Sequence, residues 1–248
     1  MRQNTLMGQH FLRSEKIIER IVDVAEIDAS DTVLEIGPGE GLLTATLAKR
    51  AKQIIAVEKD PRFFRLLTEK FHSAANVHIV EGDILKLDFT DIVPENYKIV
   101  ANLPYYITSR LLRIALENVR KPSSMTLMVQ REVAERIVAT PPKMNMLALS
   151  IQAYGTPRIA FRVSRGQFHP PPDVDSAIIT IKNISDSFFK KQKISEKVFF
   201  EKTKKAFSQK RKMLRNTLDI HSTKRPGELS LEEWATICRT HTAYSNQD

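Results

Sequence analysis

Thr32-Val33-Leu34-Glu35-Ile36-Gly37-Pro38-Gly39-Glu40-Gly41 is the stretch on which the fold is decided. Its first five residues read as a short strand, and the strand runs straight into three glycines within five positions. A helical pattern, Leu42–Lys49, follows at once. In a doubly wound α/β fold this strand-to-helix turn lines the ligand crevice, where missing side chains let the backbone come close to a bound group.

Working outward, the same alternation continues on both sides. Upstream, Ser14 is placed to cap a helix whose apolar face is Ile17, Ile18, Ile21, Val22 and Ala25. Downstream come a strand at Ile54–Glu58 and a helix with Pro61 in its first turn, carrying Phe63, Phe64, Leu66, Leu67 and Phe71. Strands are expected at Val77–Val80, Tyr97–Ala101 and Met125–Val129, with helices at Ser109–Glu117 and Glu132–Ala139. Such repetition implies a parallel sheet covered by helices on both faces. Asp175–Lys182 reads as a last strand, paired with Ile159–Val163. Beyond about Asn183 strand runs stop, lysines accumulate, and helical patterns appear at Glu196–Phe207 and Leu231–Arg239. The expected organisation is a Rossmann-like α/β catalytic domain over 1–185 and a small basic helical domain over 186–248.

Composition narrows the function. The 248 residues are 42% hydrophobic and 27% charged, as in a globular chain with a substantial core. One cysteine, Cys238, excludes an internal disulfide framework and a thiolate metal cluster. No apolar run approaches the roughly 20 residues of a membrane helix, and Met1–Gly8 lacks the apolar core of a secretory signal. A cytoplasmic, non-membrane protein is the expectation. The net charge of +9 is concentrated: residues 186–225 hold 13 basic and 4 acidic side chains, so the rest of the chain balances. Lys202–Lys205, Lys210-Arg211-Lys212 and Arg215 suit a polyanion, since neutralised phosphates release counterions. Nucleic acid is the leading partner and an anionic membrane surface the weaker one.

Two acids complete a nucleoside site around the glycines. Glu58 ends the next strand, 19 residues after Gly39, where it can accept hydrogen bonds from both ribose hydroxyls. Asp83 ends the strand after that and can hold an adenine amine. No Gly-Lys-Ser/Thr follows the glycines, which excludes a nucleoside-triphosphate loop. A nicotinamide dinucleotide and S-adenosylmethionine both remain open on these residues.

Ala101-Asn102-Leu103-Pro104-Tyr105-Tyr106-Ile107 separates them. The lone pair of an exocyclic amine is delocalised into its ring, so methylating it requires acceptors that hold the nitrogen in line with the methyl group. The side-chain oxygen of Asn102 and the backbone carbonyl of Leu103 are suited to this. Pro104 would stiffen the turn, and Tyr105 would stack on an extruded base. A nicotinamide-dependent oxidoreductase would leave this segment and the basic tail unexplained.

Asn-Leu-Pro-Tyr after Ile-Gly-x-Gly resembles the signature of the ribosomal RNA adenine dimethyltransferases. The chain is similar to the KsgA type, which acts on adjacent adenosines near the 3′ end of small-subunit rRNA. The likeness also covers Gly8–Leu12, Met128–Val133, Phe168–Ser176 and Gln209–Asn216. It implies S-adenosylmethionine as cofactor, contacted by His10, Leu12, Gly37, Glu58, Asp83 and Asn102. It implies a catalytic turn of Asn102, Leu103, Pro104 and Tyr105, with Tyr105 and Phe168 walling the target base. It further implies rRNA contacts from Lys210, Arg211, Lys212 and Arg215. The expected partner is an immature small ribosomal subunit and the expected state a monomer with no bound metal. Two alternatives stand beside it: a large-subunit dimethyltransferase of the erythromycin-resistance type, and a protein serving mainly in ribosome assembly. The chain departs from the family at His10, where Asn is usual; at Tyr106 Asn is common in the family, and aromatic residues also occur.

Overall fold

The computed structural model describes residues 11–218 and 220–240. In chain order, β1 (Phe11–Leu12) and α1 (Glu15–Val24) precede β2 (Thr32–Ile36), α2 (Leu42–Ala48), β3 (Gln53–Glu58) and α3 (Pro61–Lys70). Then come β4 (Val77–Glu81), α4 (Phe89–Ile92), β5 (Lys98–Asn102), α5 (Thr108–Glu117), β6 (Ser124–Gln130) and α6 (Arg131–Ile137). The chain continues through α7 (Met146–Gln152), β7 (Thr156–Val163), β8 (Phe168–His169) and β9 (Ser176–Lys182). It ends in α8 (Ser187–Gln192), α9 (Glu196–Phe207) and α10 (Leu231–Thr240).

These elements pack as two compact units, one of residues 11–134 with 157–184 and one of residues 135–156 with 185–240. The later crossing lies beside the expected boundary at 185/186. Residues 135–156, read in the sequence as part of the first domain, group with the second unit. Packing supplies the reason: α7 buries Ala148, Leu149 and Ile151, and Tyr154 sets its ring against Phe189 and Phe200 at centroid distances of 5.2 and 6.1 Å. Phe199 and Trp234 are fully buried in the same unit.

The first unit is built on a seven-stranded sheet in the order β4-β3-β2-β5-β6-β9-β7. Pairs β2/β3, β3/β4, β2/β5 and β5/β6 are parallel, and β6/β9 is antiparallel. β2 is buried at all five positions, as expected of a central parallel strand covered on both faces. From β2 the chain steps outward through β3 and β4, then returns to add β5 on the other side. The strand order therefore reverses between β2 and β5, and a crevice opens beyond their carboxyl ends. Asn102 ends β5, and Gly37 follows β2.

Local sequence chemistry fixes the helices that flank this crevice. Pro61 opens α3, and the Asp60 carboxylate caps it by accepting from the Arg62 N–H at 2.9 Å. Ser14 does occupy the position before α1 with extended backbone, but its side chain makes no capping bond. That helix is held instead by its apolar face, with Ile18, Ile21 and Val22 buried. A separate two-stranded ribbon pairs β1 with β8, Phe11 opposite His169 and Leu12 opposite Phe168. Among the described residues, no helix is long and apolar enough to cross a membrane.

Candidate active site

Two cavities meet at the switch point and share Gly37, Glu58 and Pro104 in their walls. The smaller, about 110 Å³, is lined by Leu12, Glu35, Gly39, Asn102 and Leu103 among others. The larger, about 810 Å³, runs past Lys59 and Asp83 to Tyr106. Leu12, Gly37, Glu58, Asp83, Asn102, Leu103 and Pro104, each singled out in the sequence, thus line one or both of two cavities with shared walls.

The glycine turn shows which missing side chain matters to a ligand. Gly37 has φ +66°, and a Cβ added there would meet nothing closer than Pro104 Cδ at 3.9 Å, so its bare Cα borders open space. At Gly39 a Cβ would lie 2.9 Å from the Phe11 ring. That glycine makes room for the protein's own side chain. Its N–H is the useful part, donating to Glu58 Oε2 at 3.1 Å.

Glu58 is held rigidly. It is 7% exposed, and its Oε1 accepts from the Asp60 N–H at 2.8 Å. Each oxygen keeps a further lone pair for a hydroxyl. Burial pushes its carboxyl above the usual carboxylate range, although the N–H groups of Asp60, Gly39 and Lys59 favour the ionised form. Asp83 is more open and behaves oppositely. Burial opposes its charge, but the Lys59 ammonium 3.0 Å away and the Leu85 N–H at 3.1 Å prevail and hold the carboxyl below its usual value.

Glu35, in β2, also lines the smaller cavity. It is 1% exposed, and neither carboxylate oxygen has a hydrogen-bond partner. Burial pushes its carboxyl up to about 8, with the nearby Thr44 hydroxyl working against it and the Glu58 charge adding to it. At neutral pH this wall of the smaller cavity therefore carries a mostly neutral acid.

The turn after β5 is oriented by a strand far along the chain. Pro104 (φ −56°, ψ 130°) leads into a short 3₁₀ turn, Tyr105–Ile107. The Tyr105 hydroxyl lies 2.8 Å from Ser176 Oγ, and Ser176 is fully buried at the start of β9 opposite Gln130 of β6. Tyr105 is half-buried, and burial raises its phenol pKa while Ser176 lowers it less.

Tyr105 lines neither cavity, nor do the remaining expected contacts among the described residues. His10 lies outside the described residues. Phe168 is 5% exposed within the hydrophobic core beside Leu12 and Ile18; it anchors β1 through the ribbon and does not line either cavity. Lys210, Arg211, Lys212 and Arg215 sit in the second unit, in the turn after α9 and the 3₁₀ turn Leu214–Asn216, and all four are exposed.

A doubly wound α/β domain with a nucleoside crevice at its switch point, and an Asn-Leu-Pro-Tyr turn on its rim, defines the class of Rossmann-like methyltransferases. The family model for ribosomal RNA adenine dimethylase matches residues 1–236, and the chain belongs to that family. It is 41% identical over 256 residues to ribosomal RNA small subunit methyltransferase A of Dehalococcoides mccartyi, covering 95% of this chain and 87% of that one. The protein of the same name from Fusobacterium nucleatum is 42% identical, with 85% and 80% covered. Among solved structures, the fold resembles a dimethyladenosine transferase from Plasmodium falciparum (TM-score 0.82, 24% identity, 95% and 98% covered). It also resembles the 23S rRNA methyltransferase ErmE (TM-score 0.76, 26% identity, 92% and 98% covered).

Proposed function

We propose that this chain is an S-adenosylmethionine-dependent enzyme that dimethylates the N6 amines of two adjacent adenosines near the 3′ end of small-subunit rRNA. In this reading it acts in the cytoplasm as a monomer, on an immature small subunit, and its methylation is coupled to subunit maturation. The observation that carries the reading is the junction at Gly37, Glu58 and Pro104, where the nucleoside acids and Asn102, Leu103 and Pro104 line two cavities with shared walls.

The residues present fit the cofactor. Glu58 has free lone pairs for the ribose hydroxyls, Asp83 is an acceptor for the adenine amine, and the open Cα of Gly37 lets a ligand approach the backbone. Leu12 and Asn102 border the smaller cavity, and the family resemblance adds His10 as a cofactor contact. When bound, the cofactor supplies a methyl group on a sulfonium, an electrophile that needs positioning more than activation. Asn102 through its side-chain oxygen and Leu103 through its carbonyl hold the target amine, and Pro104 keeps that turn stiff. Tyr105, steered by Ser176, stacks on the extruded base, while Phe168 supports the wall from the core. The amine held by Asn102 and Leu103 would accept that methyl group and then give up a proton to water. Positioning and exclusion of water supply the acceleration.

Lys210, Arg211, Lys212 and Arg215 serve the rRNA backbone, where exposed charge is what is needed. The two small-subunit relatives, at 41% and 42% identity, favour the small subunit over the large-subunit alternative that the ErmE likeness keeps in view. Transfer of labelled methyl groups to unmethylated small and large subunits tests the choice. Label is expected in the small subunit alone; label in the large subunit alone would overturn it.

A further inference from the structure

Tyr106 is 68% exposed between two neighbours that turn inward. Tyr105 is tied to Ser176, and Ile107 is only 8% exposed. A tyrosine ring left in water forgoes the apolar burial that normally holds such a side chain. Yet this ring is not stranded on a convex surface. It lines the larger cavity together with Lys59, Asp83 and Ile84, and it is the aromatic ring among the described residues of that wall. Lys59 reaches from the end of β3 to Asp83. Its ammonium is held above its usual value mainly by Asp83, with a smaller contribution from the Tyr106 phenol, which therefore stands within electrostatic reach of the same mouth.

A purine held at Asp83 by its amine has two π-faces to cover, and an aromatic partner is the most effective cover for one. Ile84 offers aliphatic surface; Tyr106 offers a ring that the protein itself leaves unburied. We infer that Tyr106 is a cofactor-positioning residue whose ring covers the adenine of the cofactor in the larger cavity. This rests on the S-adenosylmethionine reading above. Two adjacent tyrosines then serve two different bases: Tyr105 the target adenine, Tyr106 the adenine of the methyl donor.

Calorimetric binding tests the inference without relying on turnover. The probes are S-adenosylhomocysteine and methylthioadenosine, which has the adenine but no amino-acid end. Tyr106→Phe keeps the π-face and is expected to bind both within about twofold of the wild type. Tyr106→Ala is expected to weaken both by the same factor, about tenfold, as loss of one base–aromatic stack requires. Tyr106→Leu, which keeps bulk without the π-face, should fall between them. An unchanged unfolding midpoint shows that the exposed substitutions leave the fold intact. Wild-type affinity for both probes in Tyr106→Ala would overturn the inference. So would unchanged probe binding combined with weaker binding of small subunits, which would assign the ring to the RNA. If the wild type binds neither probe, the cofactor reading itself fails.

Discussion

The crevice of the first unit and the basic turn of the second are built by opposite physical means, and in the proposed function each would meet a different ligand. Around the crevice the functional groups are buried or half-buried and oriented by specific partners: Glu58 by two backbone N–H groups, Tyr105 by Ser176. In the second unit Lys210, Arg211, Lys212 and Arg215 are exposed on short turns. In-line transfer to a poor nucleophile tolerates little displacement, so its residues are built into the sheet. Attraction to phosphate depends on charge density and counterion release, so long solvated side chains suffice. The difference teaches that the two functions should fail separately.

Asn102→Ala should break the first region most severely. Methyl transfer is expected to fall by at least about a hundredfold, as when a single group that stabilises a reaction centre is removed, while small-subunit affinity stays near wild type. Activity surviving within a few-fold would sink the pocket assignment. Next comes the combined replacement of Lys210, Arg211, Lys212 and Arg215 by Ala. Subunit affinity should fall and its dependence on log salt should flatten by roughly 2–3, about 0.7 per lost phosphate contact on single-stranded nucleic acid, with S-adenosylhomocysteine affinity unchanged.

Glu35 sharpens the comparison through pH. Its folded-state value, about 8, lies above the ordinary carboxylate value of 4.5, so the folded protein binds a proton that the unfolded chain releases. The stability from that neutral acid is full below about 4.5 and is lost as pH rises through about 8. Glu35→Gln cannot ionise. Its unfolding midpoint should exceed that of the wild type at pH 8.5, and the gap should shrink toward pH 5. Equal pH profiles in thermal melts would show that Glu35 is not the buried acid described. The smallest effect is expected for Tyr105→Phe, which keeps the ring and loses the Ser176 bond, worth about 1 kcal/mol. Methyl transfer should drop only a few-fold, against a much larger loss in Tyr105→Ala.

How legible all this was depended on the range of the interaction. The alternation from Thr32 to Val129 could be read locally, because buried strands and amphipathic helices carry their periods in a few residues. The acids at Glu58 and Asp83 followed from the same reading, since strand ends at a switch point are where ligands lie. β1 and β8 have two residues each and no period to read, so their pairing was invisible, and with it the burial of Phe168 in the core. The Tyr105–Ser176 contact spans 71 residues and leaves no local trace. The grouping of residues 135–156 with the second unit leaves no local trace for the same reason: the cover of Tyr154, the Phe189 and Phe200 rings, comes from beyond the sheet. Tyr106 stands where the family has Asn or an aromatic residue, and only its exposure over the cavity gives that choice a meaning.

The most direct test of the whole account is mass mapping of small-subunit rRNA after incubation of unmethylated subunits with the protein and S-adenosylmethionine. Two adjacent N6-dimethyladenosines near the 3′ end are the expected product. Methyl groups on another nucleobase atom, or no transfer although the cofactor binds, would contradict the assignment of Asn102–Tyr105 as an adenine-amine site.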